Sequence, residues 1–232
     1  MTERLNQRMG DTKIAAALLS FEKLVRGDSA VEDLGPRTAE IRGAVKTAGR
    51  EYQDAIENES AALYVALNKD NQLDLLSKGF ADALFNACGR RRDDPRFKAA
   101  MPRGAADVSQ PRLWEQETKI NSYIPEWTKL ADRDTVVAEW LPKIREGATN
   151  LTSALAALKT ATDGRNTARW NQLRARMSAI AIWDSNHGEV IRRFPGDRAR
   201  VESYFPTISA GTVEAEEETP AAPPTGTTPP TP

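Results

Sequence analysis

The chain has 232 residues, of which 40% are hydrophobic and 28% charged, and a formal net charge of −1. That balance gives no global field to draw in nucleic acid or anionic lipid, and no apolar run approaches the ~18 residues that span a bilayer. The single cysteine, Cys88, excludes an intrachain disulfide and a cysteine-built zinc cluster. The polar opening Met1-Thr2-Glu3-Arg4 lacks the apolar core of a signal peptide, so a soluble, cytoplasmic protein is expected.

In chain order, the spacing of Ile14, Leu18, Phe21 and Val25 predicts an amphipathic helix over 11–26, capped by Asp11 or Thr12. Gly35-Pro36 opens a second helix, with proline suited to the first turn, and Ile41, Val45, Ala48 and Tyr52 form its stripe. Leu63, Leu67, Leu73, Leu76, Phe80 and Leu84 form a third stripe. A turn separates the two, either at Asn58-Glu59-Ser60 or at Asn68–Asn71. Asp94-Pro95 reads as N-cap and first position of a short helix carrying Phe97 and Met101. Pro102, Gly104 and Pro111 mark a linker.

A helix near 111–131 follows, with Pro125 expected to kink or divide it. The next starts at Thr135 or Pro142, carries Ile144, Leu151, Leu155 and Leu158, and ends at a turn at Asp163-Gly164. Trp170, Leu173, Met177, Ile180, His187, Ile191 and Phe194 then share a helical phase until Pro195-Gly196. Asp197 caps a closing helix with Val201 and Phe205. From about 210 the chain is acidic and then Pro/Thr-rich, a composition too polar to offset the entropy of ordering it, so a disordered tail is expected over 210–232.

The two halves repeat one another. Thr12-Lys13-Ile14, Lys23-Leu24, Asp28, Val31 and Pro36 return as Thr118-Lys119-Ile120, Lys129-Leu130, Asp134, Val137 and Pro142, at a constant offset of 106 residues (12 to 118, 36 to 142). Phe21 matches Trp127, Leu34 matches Trp140 and Tyr64 matches Trp170. Two residues out of register, Asp93, Arg96, Phe97, Met101 and Pro102 match Asp197, Arg200, Val201, Phe205 and Pro206. This pattern reads as a tandem duplication, with one copy over 5–102 and the other over 111–206. The expected fold is all-α: an antiparallel helical bundle built from two tandem copies of a helical unit, pseudo-two-fold, packed as one body.

The chemistry is sparse. Phosphate-binding glycine loops are missing from the sequence. Asn68, Asp70, Gln72 and Asp74 alternate like the start of a calcium loop, but Leu73 and Gly79 stand where that loop needs glycine and glutamate. His187, the sole histidine, falls on the apolar stripe three residues after Asp184, which can reach it on the same side. Such a pair suits acid–base work, yet a polar pair satisfied at the core edge fits as well, because no nucleophile or second acid accompanies it. Arg90, Arg91 and Arg92, followed by two aspartates, form a solvated helix end or, less simply, an anion contact. Trp114, Trp127 and Trp140 are spaced by 13 residues, which does not keep one helix face, so the tryptophans read as packing residues.

The reading that follows is a non-enzymatic scaffold or protein-interaction module, with a protein partner or self-association and with no cofactor and no metal. The alternatives are a small-ligand binder or enzyme with a site near Asp184 and His187, and an anion or nucleic-acid contact through Arg90–Arg92.

Overall fold

In the computed structural model, residues 5, 6 and 8–205 are described. Seven α-helices follow in order: α1 (Asp11–Val25), α2 (Gly35–Ala87), α3 (Pro95–Ala100), α4 (Ala106–Ser109), α5 (Trp114–Ala131), α6 (Thr135–Arg193) and α7 (Arg198–Ser203). A single 3-10 turn, Glu32–Leu34, precedes α2, and the described residues contain no strand. The protein is thus all-helical. The tail expected at 210–232 lies outside the described residues.

Two elements run far longer than their sequence suggests. α2 has 53 residues and α6 has 59, so the turns expected at Asn58-Glu59-Ser60 or Asn68–Asn71, and at Asp163-Gly164, do not form. A glycine inside a helix costs only about 1 kcal/mol, and here tertiary contacts hold the backbone through it. Glu59 of α2 accepts hydrogen bonds from Thr162 Oγ1 at 2.9 Å and from Arg165 Nη1 at 2.7 Å, bracketing Gly164. Pro125 and Pro142 likewise lie inside α5 and α6 instead of dividing them. Around Pro142 the buried side chains of Leu141 and Ile144 secure the helix against the loss of one backbone donor. Of the two starting points expected for α6, Thr135 is the one used. Asp134 caps it, its Oδ1 accepting from Val136 N at 3.0 Å.

The chain forms two compact units. Each draws residues from both 5–102 and 111–206. Among the described residues, the terminal unit comprises those up to 46 and those from 175 to 205. Its core is Ile14, Leu18, Phe21 and Val25 of α1, Val31 and Val45, and Ala179, Ile182, Trp183 and Val190 of α6, closed by Val201, Tyr204 and Phe205. Phe21 lies 5.1 Å from Phe205 and 6.2 Å from Trp183, ring centre to ring centre. Asp33 of the 3-10 turn pairs with Arg193 and Thr38 of α2 with Asn186, so rising numbers from the turn into α2 meet falling numbers on α6.

The central unit is 47–174. Its core holds Leu73, Phe80 and Leu84 of α2, Phe97 and Met101, Ile120 and Trp127 of α5, and Ile144, Leu151, Leu155 and Leu158 of α6. Trp127 packs edge-on against Phe80 and donates its Nε1 proton to Ala100 O at 2.8 Å, fixing the short α3. α2 and α6 are antiparallel here too, because Gly79 meets Trp140, Gly147 meets Leu73 and Leu76, and Glu59 meets Arg165. The stretch expected to be a plain linker contains α4. Its Val108 is buried, and its Asp107 accepts from Lys119 Nζ at 2.9 Å and from Tyr123 OH at 2.6 Å. Those two bonds, Tyr123 first, hold Asp107 below the usual carboxylate range, while burial and the Asp107 bond push Tyr123 up to about 12.

Aspartates also pin the turn after α1. Asp28 Oδ1 accepts from Ala30 N at 3.0 Å, and Oδ2 accepts from the Tyr204 hydroxyl and from Arg200 Nη2 at 2.5 Å. These bonds, Tyr204's first and Arg200's second, lower the Asp28 carboxyl to about 2.

Two predictions follow from these contacts. A Cβ at Gly164 meets nothing within 4 Å, whereas one at Gly79 falls 2.6 Å from the Trp140 ring. Gly164→Ala is therefore expected to stabilise the protein by about 0.5–1 kcal/mol, and Gly79→Ala to destabilise it by about 1–3 kcal/mol, both read by urea denaturation. Because the Asp28 value is depressed, its contribution is complete above the unfolded carboxylate value near 4 and is lost as pH falls toward about 2. The melting-temperature gap between wild type and Asp28→Asn should accordingly shrink on acidification through that window; a gap independent of pH would exclude the linkage.

Candidate functional site

The sequence candidates Asp184 and His187 lie on the α6 segment of the terminal unit. His187 is half-buried and meets the Phe205 ring edge-on at 5.0 Å, while Asp184 points to solvent. Among the described residues the two share neither a hydrogen bond nor an ion pair. The residue that reaches inward is Asn186. It is buried and donates from Nδ2 to Thr38 Oγ1 at 2.8 Å, and Thr38 passes its proton to Leu34 O at 2.8 Å. The buried face here is Ala179, Ile182, Trp183, Asn186 and Val190, whereas Met177 and Ile191 of the expected stripe are exposed. Both faces have helical period, and the sequence reading was out of phase by about one residue, or 100°.

Arg90, Arg91 and Arg92 follow the end of α2 and are all exposed. Arg90 has a positive φ of 61°, Arg91 contacts Asp93 at 3.3 Å, and Arg92 sits 5.8 Å from the centre of the Phe85 ring. They point to separate neighbours and do not build a common anion cradle. The buried Cys88 thiol is pushed up by burial and then by the Asp94 charge, away from the reactive thiolate.

A polar set that sequence reading passed over lies inside the central unit. Helix spacing puts Asp70, Asp74 and Ser77 on one face of α2, at i, i+4 and i+7, and all three are buried together with Gln116 of α5. Asp70 Oδ1 accepts from Leu113 N at 2.7 Å, holding that residue at a φ of 49°, and Asp74 Oδ1 accepts from Gln116 Nε2. The balancing cations sit at the rim: Arg112 lies 3.5 Å from Asp70, Lys78 lies 3.9 Å from Asp74, and both are largely exposed. Asp70 Oδ2, Ser77 Oγ and Gln116 Oε1 have no hydrogen-bond partner. Among the described residues no group of three or more His, Cys, Asp or Glu side chains could hold a metal. The alternation of Asn68, Asp70, Gln72 and Asp74 was the one available signal. Its meaning is helical: Asp70 and Asp74 turn inward and Gln72 outward.

The same helix also bears an uncovered apolar stretch. Leu63, Tyr64, Val65 and Leu67 are exposed, Tyr64 at 72%, with only Ala66 between them buried. Trp170, on the α6 segment of this unit, is 70% exposed. Leu63, Leu67 and Trp170 thus lie outside the packing role expected of them. On the opposite flank a shallow depression of about 280 Å³ lies between Lys69, Gln72, Lys143 and Asn150. No helix among the described residues is long and apolar enough to cross a membrane.

Compared with family models, curated proteins and solved structures, the chain has no significant match.

Removing the Asn186 amide leaves a buried hydroxyl without its donor, so Asn186→Ala should cost about 1–3 kcal/mol. His187→Gln, at a half-exposed ring contact, should cost about 1 kcal/mol or less. Chemical denaturation of both variants checks the order; a larger loss at His187 would make it the structural keystone of this region.

Proposed function

We propose that this chain is a non-enzymatic helical scaffold that binds a protein partner along the uncovered flank of α2 in its central unit. The supporting observation is where coverage stops. Leu63 and Leu67 stand seven residues before Asp70 and Asp74, and seven residues is two helical turns, so the four side chains lie along one flank. From Asp70 onward that flank is occupied by α5, through Leu113 and Gln116. Before Asp70 the same flank carries Leu63 and Leu67 into solvent. A helix laid end to end with α5 would bury Leu63 and Leu67 at helical spacing, the usual way a helix occupies a groove. Exposed apolar residues that adjoin one another, unlike scattered ones, mark interaction surfaces.

The tandem duplication belongs to the same proposal. Residues matched by sequence have matched surroundings: Ile14 and Ile120, Phe21 and Trp127, and Val45 and Leu151 are fully buried. Asp28 accepts from Ala30 N and Asp134 from Val136 N, two residues on in each case, and each aspartate also accepts from an arginine, Arg200 and Arg96, that the repeat pairs with one another. Each compact unit takes its first helix from one copy and its closing helix from the other: α1 with α7, and α5 with α3. Such an exchange explains why neither copy is a unit by itself.

Photo-crosslinkers placed at Tyr64 and at exposed Arg91 compare the flank with the alternative basic run. Adducts at 64, with a second copy or another protein, that vanish in Leu63→Glu/Leu67→Glu without a change in melting temperature are the expected result. Adducts at 91 alone, or none above background at 64, would refute the reading.

A further inference from the structure

We propose that the first turn of α5 is latched to α2 by a proton: neutral Asp74 supplies the donor that the buried carbonyl of Gln116 lacks, and ionisation of Asp74 loosens the latch. The geometry that points to this is an imbalance of donors and acceptors. Gln116 is fully buried and gives one amide proton to Asp74 Oδ1, while its Oε1 has no partner. An ionised carboxylate only accepts, so it cannot satisfy that oxygen. A carboxylic acid both donates and accepts. It pairs with a primary amide through O–H···O and N–H···O bonds, with the amide as it stands or after a half rotation that exchanges its O and N.

The surroundings favour the neutral form. The largest charges that bear on Asp74 are Lys78 and Asp70 from α2 and Arg112 from the segment entering α5. Lys78 and Arg112 are mostly in solvent and stand 3.9 Å from Asp74 and 3.5 Å from Asp70. Neither forms a buried ion pair with Asp74, and Arg112 is drawn to Asp70 and to Asn71 Oδ1. Burial, the largest influence, pushes the Asp74 carboxyl above its ordinary value. Lys78 pulls it down, Asp70 pushes it up, and Arg112 and the Gln116 bond pull it down. A raised folded value means that the latch is complete below the unfolded carboxylate value and is lost as pH rises through the folded one.

The latch sits where a small loss matters. Leu113, at a positive φ, donates to Asp70, and Glu117 N bonds back to Leu113 O at 2.9 Å to close the first turn. Releasing Gln116 frees this turn at the point where the bare flank of α2 begins. The device rests on buried hydrogen-bond geometry and the burial of Asp74, and it stands whether or not that flank binds a partner.

Hydrogen exchange of the Leu113 and Glu117 amides in the full chain tests it, at pH about 5 and about 8 after correction for the intrinsic exchange rate. In wild type, protection of both amides should fall at the higher pH, by up to about tenfold per pH unit within the titration window. Asp74→Asn, which keeps an amide-pairing donor at every pH, should hold protection constant. Gln116→Leu, which removes the orphaned carbonyl, should also abolish the pH dependence. A 13C carboxyl titration then reads Asp74 directly and should show its midpoint above that of an ordinary aspartate. Equal protection at both pH values in wild type, an identical pH response in Asp74→Asn, or an Asp74 midpoint at or below that of an ordinary aspartate would each overturn the proposal.

Discussion

Close approach between α2 and α6 in the central unit depends on two positions that carry no side chain. A Cβ at residue 147 would fall 3.0 Å from Leu76 Cδ1 and 3.1 Å from Leu73 Cδ1, and one at residue 79 would enter the Trp140 ring. Leucine and tryptophan thus fill volume that any larger residue on the facing helix would claim. The buried alanines Ala66, Ala148 and Ala154 extend the same rule. Interiors pack at crystal-like density, so this spacing sets where the remaining core must lie. Trp127 then enters from α5 between Phe80 and Tyr123, at ring-centre distances of 5.1 and 5.4 Å, and carries α3 with it through Ala100.

Connections between helices are fixed differently, by carboxylates that accept backbone and side-chain protons together. Asp28 gathers Ala30 N, Arg200 and Tyr204; Asp134 gathers Val136 N and Arg96; Asp107 gathers Lys119 and Tyr123. Each holds a short helix or turn too small to secure itself by apolar burial, since six residues make few core contacts. Charge-assisted bonds are the stronger class of hydrogen bond. They let α3 and α7, at six residues each, close a core with few buried side chains of their own, Phe97 and Ala100 from α3 and Val201 from α7.

Features governed by local chemistry were legible in the sequence. Asp94 and Asp197 cap α3 and α7 as their spacing suggests, accepting from Arg96 N and Arg200 N. The stripe Ile144, Leu151, Leu155, Leu158 is buried in full. Punctuation by Gly164, Pro125 and Pro142 was over-read, because its cost is small beside the packing that holds the helices through it. The buried polar pairs were illegible for another reason. Thr38 and Asn186 are 148 residues apart, and Asp74 and Gln116 are 42 apart. On its own, each looks like an ordinary surface residue. Only the fold pairs them, and the alternating polar residues around Asp70 imitate a loop until the helix turns half of them inward.

Along α2, the stretch from Leu63 to Ser77 reverses the arrangement that would maximise stability. Leu63, Tyr64, Val65 and Leu67 face solvent, and within the next ten residues Asp70, Asp74 and Ser77 are buried. Exchanging the two patterns would bury more apolar surface and desolvate fewer carboxylates. Local violations of patterning concentrate where function is retained at the expense of stability. Both violations fall at one place, the start of α5. There the flank passes from covered to bare, and Leu113 is held in a rare backbone conformation by a buried aspartate. An apolar surface left open and a polar core left incomplete meet at the same helix end. That coincidence places the proposed interaction surface and the proposed proton-sensitive latch in a single region of the chain, apart from the arginine run and from His187.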